Sequence, residues 1–488
     1  MAPYRQGGNS LDNEAFRAHA HQLVDWMADY LETIEERPVR SRVAPGEIAG
    51  ALPPAAPGKP EDFAAIFRDF EQQIVPGLTH WQHPSFFAYF PANSSPPSVL
   101  AEMLTATVAQ VAMIWQTSPA ATELEQVVLD WLRQMIGLPD GFTGVIQDTA
   151  STATLAAMIA ARERASDSLV NDLGFRAAPR LTVYCSAEAH SSVEKDVRIA
   201  GFGRSNLRLI DSDDAFAMRP DLLASAIEAD IAAGARPAIV VATLGTTAAG
   251  GFDSLRAVGE LCARHGIWLH VDAAWAGSAL ILPEQRWMLD GIEFVDSFVF
   301  NPHKWLLTNF DCTALYVRDT DQFVDCFAID AAYLRTREGD RVTNYRDWGI
   351  QLGRRFRALK LWFVLRSYGL EGLQAIIRRH VALAGKIAGE IAREPGFEIL
   401  APARLALFVF RLHPPGLDDE ARLDRLNEQL LEALNDSGQA YFTQARAKGR
   451  YGIRFSVGQT ATEDRHVEEA WALIRETAGP LIAEAEAA

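Results

Sequence analysis

Lys304 closes the run Ser297-Phe-Val-Phe-Asn-Pro-His-Lys304-Trp-Leu-Leu, a β-rich apolar segment that stops at Asn301, Pro302 and His303. The chain has forty arginines and six lysines, so a lysine between His303 and Trp305 is chosen for what arginine cannot do. Its amine can lose a proton when desolvated and condense with an aldehyde. Three more polar groups end apolar runs in the same way. Trp268-Leu-His-Val ends in Asp272 and leads into Ala273-Ala-Trp-Ala-Gly277. Ala238-Ile-Val-Val-Ala ends in Thr243-Leu-Gly-Thr-Thr247, small hydroxyl residues that let backbone approach a ligand. Gly144-Val-Ile-Gln147 is followed by Asp148-Thr-Ala-Ser-Thr-Ala-Thr154, the start of an alanine-rich helix.

Each group also has a structural reading. Asp272 and Thr149 suit helix caps, and His190, in Ala189-His-Ser-Ser-Val-Glu194, suits a satisfied core or surface histidine. Taken together they ask for more. A helix start offering free N–H groups and hydroxyls is a phosphate site, a lysine amine takes an aldehyde, and a buried carboxylate favours a protonated ring nitrogen. Pyridoxal 5′-phosphate has all three features.

The elements that must position these groups follow from periodicity. Between about Thr143 and Val317, short β-rich runs alternate with helical ones, which predicts an α/β fold with a mostly parallel sheet. In such sheets ligands lie beyond the carboxyl ends of the strands, where these polar groups stand. From Leu11 to about Glu35, Leu23, Val24, Met27, Tyr30, Leu31 and Ile34 recur at helical spacing, ahead of a Pro/Ala/Gly-rich connector over Val43 to Pro60. That helix cannot bury its apolar stripe alone. From about Arg378 helical patterns return, broken by strand-like runs at Leu405–Leu412 and Tyr451–Val457. The expected division is an N-terminal helical dimerisation segment over 1–95, a large cofactor-binding α/β domain over 96–377, and a small α+β domain over 378–488.

Composition sets limits. A chain of 488 residues, 49% hydrophobic and 22% charged, can bury a large core. A net charge of −17 argues against nucleic acid or an anionic membrane as partner. The four cysteines, Cys185, Cys262, Cys312 and Cys326, form neither a disulfide framework nor a paired metal spacing, so no metal is expected. No apolar run approaches the roughly 20 residues that span a bilayer, and no signal-peptide pattern opens the chain. A cytoplasmic setting is the expectation. Gly201-Phe-Gly-Arg-Ser-Asn206 fails the dinucleotide fingerprint, and no phosphate-binding Gly-x-x-x-x-Gly-Lys-Ser/Thr loop exists.

Asn301-Pro-His-Lys304-Trp, His270-Val-Asp-Ala-Ala274, Ala189-His-Ser-Ser192 and Trp81-Gln-His-Pro-Ser-Phe-Phe-Ala-Tyr-Phe-Pro91 resemble motifs of the pyridoxal-phosphate group II decarboxylases, most closely the aromatic-L-amino-acid decarboxylases. The resemblance runs from about Leu11 to Leu473 with the motifs in family order. It implies PLP fold type I, the aspartate-aminotransferase-like fold, as a homodimer with shared active sites clasped by the N-terminal segments. It makes Lys304 the residue that carries the cofactor as an aldimine, sets Asp272 opposite the pyridine nitrogen, and stacks His190 on the ring with Thr246 and Ala274 alongside. Thr149, Ala150, Ser151, Asn301 and His303 fall at the phosphate positions. Trp81, Tyr89, Phe90, Pro91 and Ala92, with Val111 and Met113 from the neighbouring subunit and Gly353, fall in the aromatic pocket.

The implied reaction is decarboxylation of an aromatic L-amino acid to the amine and CO₂ through an external aldimine and a quinonoid, with Tyr333 as proton donor to Cα. Relatives that consume oxygen and release an aldehyde typically replace that tyrosine or the stacking histidine; here both are present. An aminotransferase, a decarboxylase of non-aromatic amino acids and an inactive scaffold are the alternatives on this fold. Asp148 stands where animal relatives have glycine, Ala92 where catechol-handling relatives have threonine, and Trp275 where a tyrosine is usual. With Gly353 these lean toward phenylalanine or tryptophan over dopa. A carboxylate at 148 is expected to point away from the phosphate or to bond elsewhere.

Overall fold

In the computed structural model, residues 11–329 and 337–487 are described. Seven strands form one sheet: β1 (Thr143–Gln147), β2 (Leu181–Ser186), β3 (Leu207–Ile210), β4 (Arg236–Thr243), β5 (Trp268–Asp272), β6 (Ser297–Phe300) and β7 (Thr313–Val317). Their order is β1-β7-β6-β5-β4-β2-β3. β7 pairs antiparallel with both β1 and β6, and every other pairing is parallel. The sheet is therefore mostly parallel, as the alternating pattern predicts.

Strand periodicity sends alternate residues to two separate cores. Val240, Ala242, Leu269 and Val271 join the core on one face, whereas Ile239, Val241 and Trp268 join the other. Asp272 shares its face with Trp268 and His270 by the same period of two. On that face lies the helix Ala150–Ser166, apolar around nearly its whole circumference and buried accordingly. His270 fastens strand to helix: its Nε2 lies 3.1 Å from Thr154 Oγ1 and its Nδ1 2.8 Å from Ser297 Oγ. Burial drives the pKa of this imidazole down to about 3, so it is neutral at physiological pH.

The parallel register brings the functional ends level. Thr243 pairs with Asp272 and Asp272 with Val299. One residue beyond β6, Pro302–Trp305 forms a single helical turn whose proline fits the first position, where an N–H would be unpaired anyway. This turn carries His303 and Lys304.

The second sheet is antiparallel, in the order β10-β11-β9-β8, from β8 (Phe397–Arg404), β9 (Leu407–Leu412), β10 (Thr443–Ala447) and β11 (Arg450–Ser456). Helices Glu420–Asp436 and Asp464–Ala487 accompany it. One long helix, Ala358–Ile391, connects the two sheet regions; it is broken at Gly369 (φ 63°, ψ 172°) and runs through residue 377 without a stop. At the other end, the helix Asn13–Glu32 is capped by Asp12, whose Oδ1 accepts the N–H groups of Glu14 and Ala15. None of its residues is buried, and Phe16, Val24 and Leu31 remain exposed. No helix among the described residues is long and apolar enough to cross a membrane.

Candidate active site

The Lys304 amine makes no hydrogen bond or ion pair among the described residues. Desolvation lowers its pKa; Asp272 works against that shift and the guanidinium of Arg454 adds to it. An amine freed of its proton at lower cost is a better nucleophile toward a carbonyl. Asp272 is buried, with Oδ1 accepting the Ala274 N–H at 3.0 Å and its other oxygen unpaired among the described residues. His190 is open on one side, yet desolvation still lowers its pKa, opposed by Asp272 and reinforced by Lys304. Its Nδ1 accepts the Ser192 N–H at 3.2 Å and lies 2.8 Å from Ser192 Oγ. That pairing leaves the ring proton on Nε2.

The start of the helix Ala150–Ser166 offers donors that an anion could take. Thr149 is its N-cap, with Oγ1 accepting the Thr152 N–H at 3.4 Å. The N–H groups of Ala150 and Ser151 have no partner inside the helix, as at any helix start. Capping and ligand binding are thus compatible here: the hydroxyl serves one N–H and the next two point outward. Asn301 spends its side-chain oxygen on Thr313 Oγ1 at 2.8 Å, and its NH₂ has no partner among the described residues. His303 is buried, accepts the Cys312 N–H on Nδ1 at 3.0 Å and so presents an Nε2 proton. Thr246 turns inward instead, its hydroxyl accepting the Gly251 N–H at 2.8 Å.

Arg454 is a candidate site residue that the sequence patterns do not bring forward. It lies in β11 at 5% exposure; among the described residues its Nε has no partner and one terminal nitrogen reaches Thr443 Oγ1, at 3.4 Å. Burial lowers its pKa to about 10, against the pull of Tyr89. With His190, Tyr89 and Glu188 it lines a cavity of about 570 Å³. A charged residue inside the apolar run Tyr451-Gly-Ile-Arg-Phe-Ser-Val was the available signal. A buried guanidinium with an unpaired N–H favours an anionic ligand.

The aromatic candidates separate. Tyr89, at φ 51°, is held in the left-handed region by Thr443 Oγ1, which accepts its N–H at 3.2 Å, and by Ser456 Oγ, which donates to its carbonyl at 2.5 Å. A bulky residue there signals a functional constraint. Trp81 stacks on Tyr89 at 5.6 Å and, with Ala92 and Phe310, lines a second cavity of about 530 Å³. Phe90 and Pro91 are buried, and Phe90 stacks on Trp275 at 4.8 Å. Val111, Met113 and Gly353 join neither cavity within the single chain; Val111 and Gly353 are exposed. They are nevertheless tied together, because the Ala112 N–H donates to the Arg354 carbonyl at 2.9 Å and the Arg346 N–H to that of Met113 at 2.8 Å. Tyr333 lies outside the described residues.

The residues fit pyridoxal 5′-phosphate: an unpaired amine for the aldehyde, an unpaired carboxylate oxygen for the ring nitrogen, and free N–H and NH donors for the phosphate. Comparison with known proteins agrees. The Pyridoxal-dependent decarboxylase conserved domain matches residues 45–413. The phenylacetaldehyde synthase of Arabidopsis thaliana is 43% identical over 482 residues, covering 97% of each chain. The aromatic-L-amino-acid decarboxylase of Rattus norvegicus is 44% identical over 491 residues, covering 97% of this chain and 99% of that one. The crystal structure of Oryza sativa TDC with PLP and tryptamine superposes with a TM-score of 0.94 at 38% identity, covering 98% of this chain and all of that one. The chain belongs to the pyridoxal-dependent decarboxylase family, an amino-acid carboxy-lyase with pyridoxal 5′-phosphate as its cofactor and PLP fold type I as its architecture.

Proposed function

We propose that the chain converts an aromatic L-amino acid, of the phenylalanine, tryptophan, tyrosine or dopa type, to the corresponding amine and CO₂. The observation that carries this reading is the unpaired Lys304 amine, poised between the Asp272 carboxylate and the buried, under-partnered Arg454 guanidinium. Bound pyridoxal phosphate supplies the electron sink for the pair left by departing CO₂.

The chain's own residues divide the remaining work. Lys304 would hold the aldehyde carbon, Asp272 would keep the ring nitrogen protonated, and His190 would cover the ring with Thr246 and Ala274 beside it. Thr149, Ala150, Ser151, Asn301 and His303 would hold the phosphate. Arg454 suits the substrate carboxylate, since a buried guanidinium with an unpaired N–H recovers most from an anionic partner. Tyr89, Trp81, Phe90, Pro91 and Ala92 would form the aromatic wall, with Gly353 and with Val111 and Met113 of a second subunit. The uncovered apolar stripe of Asn13–Glu32 and the exposed Val111 support a homodimer with shared sites. Tyr333 is assigned proton delivery to Cα on its sequence position alone.

A second reading is oxidative conversion to an aldehyde, favoured by the 43% identity to a protein named phenylacetaldehyde synthase. One experiment addresses both. The purified holoprotein is given a panel of aromatic and non-aromatic amino acids, and CO₂, amine, keto acid, aldehyde and hydrogen peroxide are quantified. Equal amounts of amine and CO₂ from aromatic substrates are expected. Peroxide in proportion to substrate would overturn simple decarboxylation, and keto acid would overturn decarboxylation altogether. Borohydride should abolish the cofactor's visible absorbance and leave the reduced, near-ultraviolet-absorbing cofactor covalently attached to wild type and not to Lys304→Ala.

A further inference from the structure

Asp148 occupies the position just ahead of the phosphate-binding helix start and does not point away from it. Its Oδ1 accepts the Thr149 N–H at 2.6 Å and lies 3.4 Å from Thr149 Oγ1. Its Oδ2 accepts from Gln351 Nε2 at 2.8 Å. Its backbone carbonyl accepts Thr313 Oγ1 at 3.0 Å, the same hydroxyl that fixes Asn301. The carboxylate is thus held at one oxygen by Thr149 and at the other by Gln351, its backbone by Thr313, and one helix-start N–H is already spent on it. The surrounding charges are Arg357, which attracts it, and Asp311, which engages Arg357 at 2.7 Å and so diverts that attraction. Hydrogen bonds from Thr152, Thr149 and Gln351 outweigh its partial burial, so the group stays ionised.

We propose that Asp148 is a built-in counter-charge of the phosphate cradle that limits how tightly this chain retains its cofactor, and that Gln351 holds it in that position. The inference rests on the reading of Thr149, Ala150 and Ser151 as the phosphate site. A dianion brought to the first turn of the Ala150–Ser166 helix meets a fixed negative charge just ahead of that turn. At the effective dielectric of a partly buried site, two like charges several ångströms apart repel by an amount worth a severalfold to tenfold change in affinity. Gln351 stands two residues before Gly353, so the carboxylate also joins the cradle to the segment carrying that pocket position.

The test compares retention of pyridoxal 5′-phosphate with that of pyridoxal, which has the aldehyde and the ring but no phosphate. Release from the full-length holoprotein is followed by loss of visible absorbance on dilution, and rebinding is titrated by the same signal. Asp148→Asn keeps the acceptor for Thr149 and removes the charge; Asp148→Gly removes both and serves if the first fails to fold. Both should hold pyridoxal phosphate about five- to tenfold more tightly than wild type, with pyridoxal unchanged. The gain should shrink in about 0.5 M salt. Asp148→Glu, which keeps the charge, should show no gain. If wild type prefers the phosphorylated form and neither neutral variant increases that preference, the counter-charge proposal fails alone. If wild type holds pyridoxal as firmly as pyridoxal phosphate, the phosphate reading of the helix start fails as well.

Discussion

The side-chain amide of Asn93 donates at once to the carbonyl of Lys304 and, at 2.6 Å, to that of Gly458. Its oxygen accepts the N–H and hydroxyl of Thr460 at 2.8 and 2.9 Å, and its own N–H donates to the His303 carbonyl at 2.8 Å. One buried residue, near the N-terminal end of the chain, thereby fixes the lysine turn against the loop that follows β11. Asn93→Ala would strand two carbonyls and an N–H, at about 1–3 kcal/mol for each group left without water. The expected outcome is a fall in denaturation midpoint together with weaker cofactor absorbance per subunit. Wild-type values in both measurements would remove Asn93 from the site's support.

A second support is the buried pair Arg354 and Glu125, 2.6 Å apart. Glu125 also accepts the Ile146 N–H at 2.8 Å, and Arg354 donates to the carbonyls of Ile146 and Ala112 while covering the Tyr345 ring. Gly353 is therefore anchored to the Val111–Met113 segment through its neighbour. Glu125→Gln leaves a buried guanidinium without its counter-charge, which costs about 3–5 kcal/mol. Chemical denaturation should register that loss. In steady-state kinetics KM should rise more than kcat falls, because the displaced segments are assigned to substrate binding.

What the sequence made legible follows from local physics. Asp272 and Lys304 stand where β-branched and aromatic runs are cut by small residues, asparagine or proline, so their positions at strand ends could be read directly. Thr149 could be read from the hydroxyls that open an alanine-rich helix. Asn93 and Arg454 could not. The partners of Asn93 lie 211 and 365 residues away, and no local pattern encodes that convergence. Strands β3, β8 and β10 were missed for a related reason. Phe397–Arg404 contains Glu398, Pro402 and two alanines, and Thr443–Ala447 alternates alanine with polar residues. Pairing with β9 and β11 overrides these weak propensities. Asp148 was expected to point away from the phosphate or to bond elsewhere; it bonds Gln351 Nε2 and, at the helix start itself, the Thr149 N–H, partners that no local pattern in the sequence announces.

The turn between β4 and the loop that follows depends on Gly245. At φ +83° it sits where side chains are strained, and an added Cβ would lie 2.7 Å from the Trp275 ring. Trp275 in turn donates from Nε1 to the Gly245 carbonyl at 2.6 Å and stacks on Phe90. Gly245→Ala should cost about 2–4 kcal/mol from backbone strain and overpacking together. Trp275→Phe, which keeps the stack, loses the hydrogen bond and leaves a small void, should cost less, about 1–3 kcal/mol. Denaturant midpoints for the two variants check the order; a milder effect from the alanine would show that the turn yields easily.

Asp196 gives the most direct pH prediction. It lies in the short helix Ser192–Ile199 at 2% exposure, and its Oδ2 has no partner among the described residues. Burial pushes its pKa up to about 7, Lys195 draws it down, and the charge of Asp272 adds to the rise. The folded value is above the unfolded one of about 3.9. Between these values the folded chain keeps a proton that the unfolded chain releases, so this group's contribution to stability is full below about pH 4 and is lost as pH rises through 7. Asp196→Asn removes the ionisation while keeping the shape. Its melting temperature should match wild type near pH 4, to the extent that both remain folded, and exceed it by a few degrees near pH 8. Equal melting temperatures at the higher pH would mean that the buried carboxyl ionises without penalty.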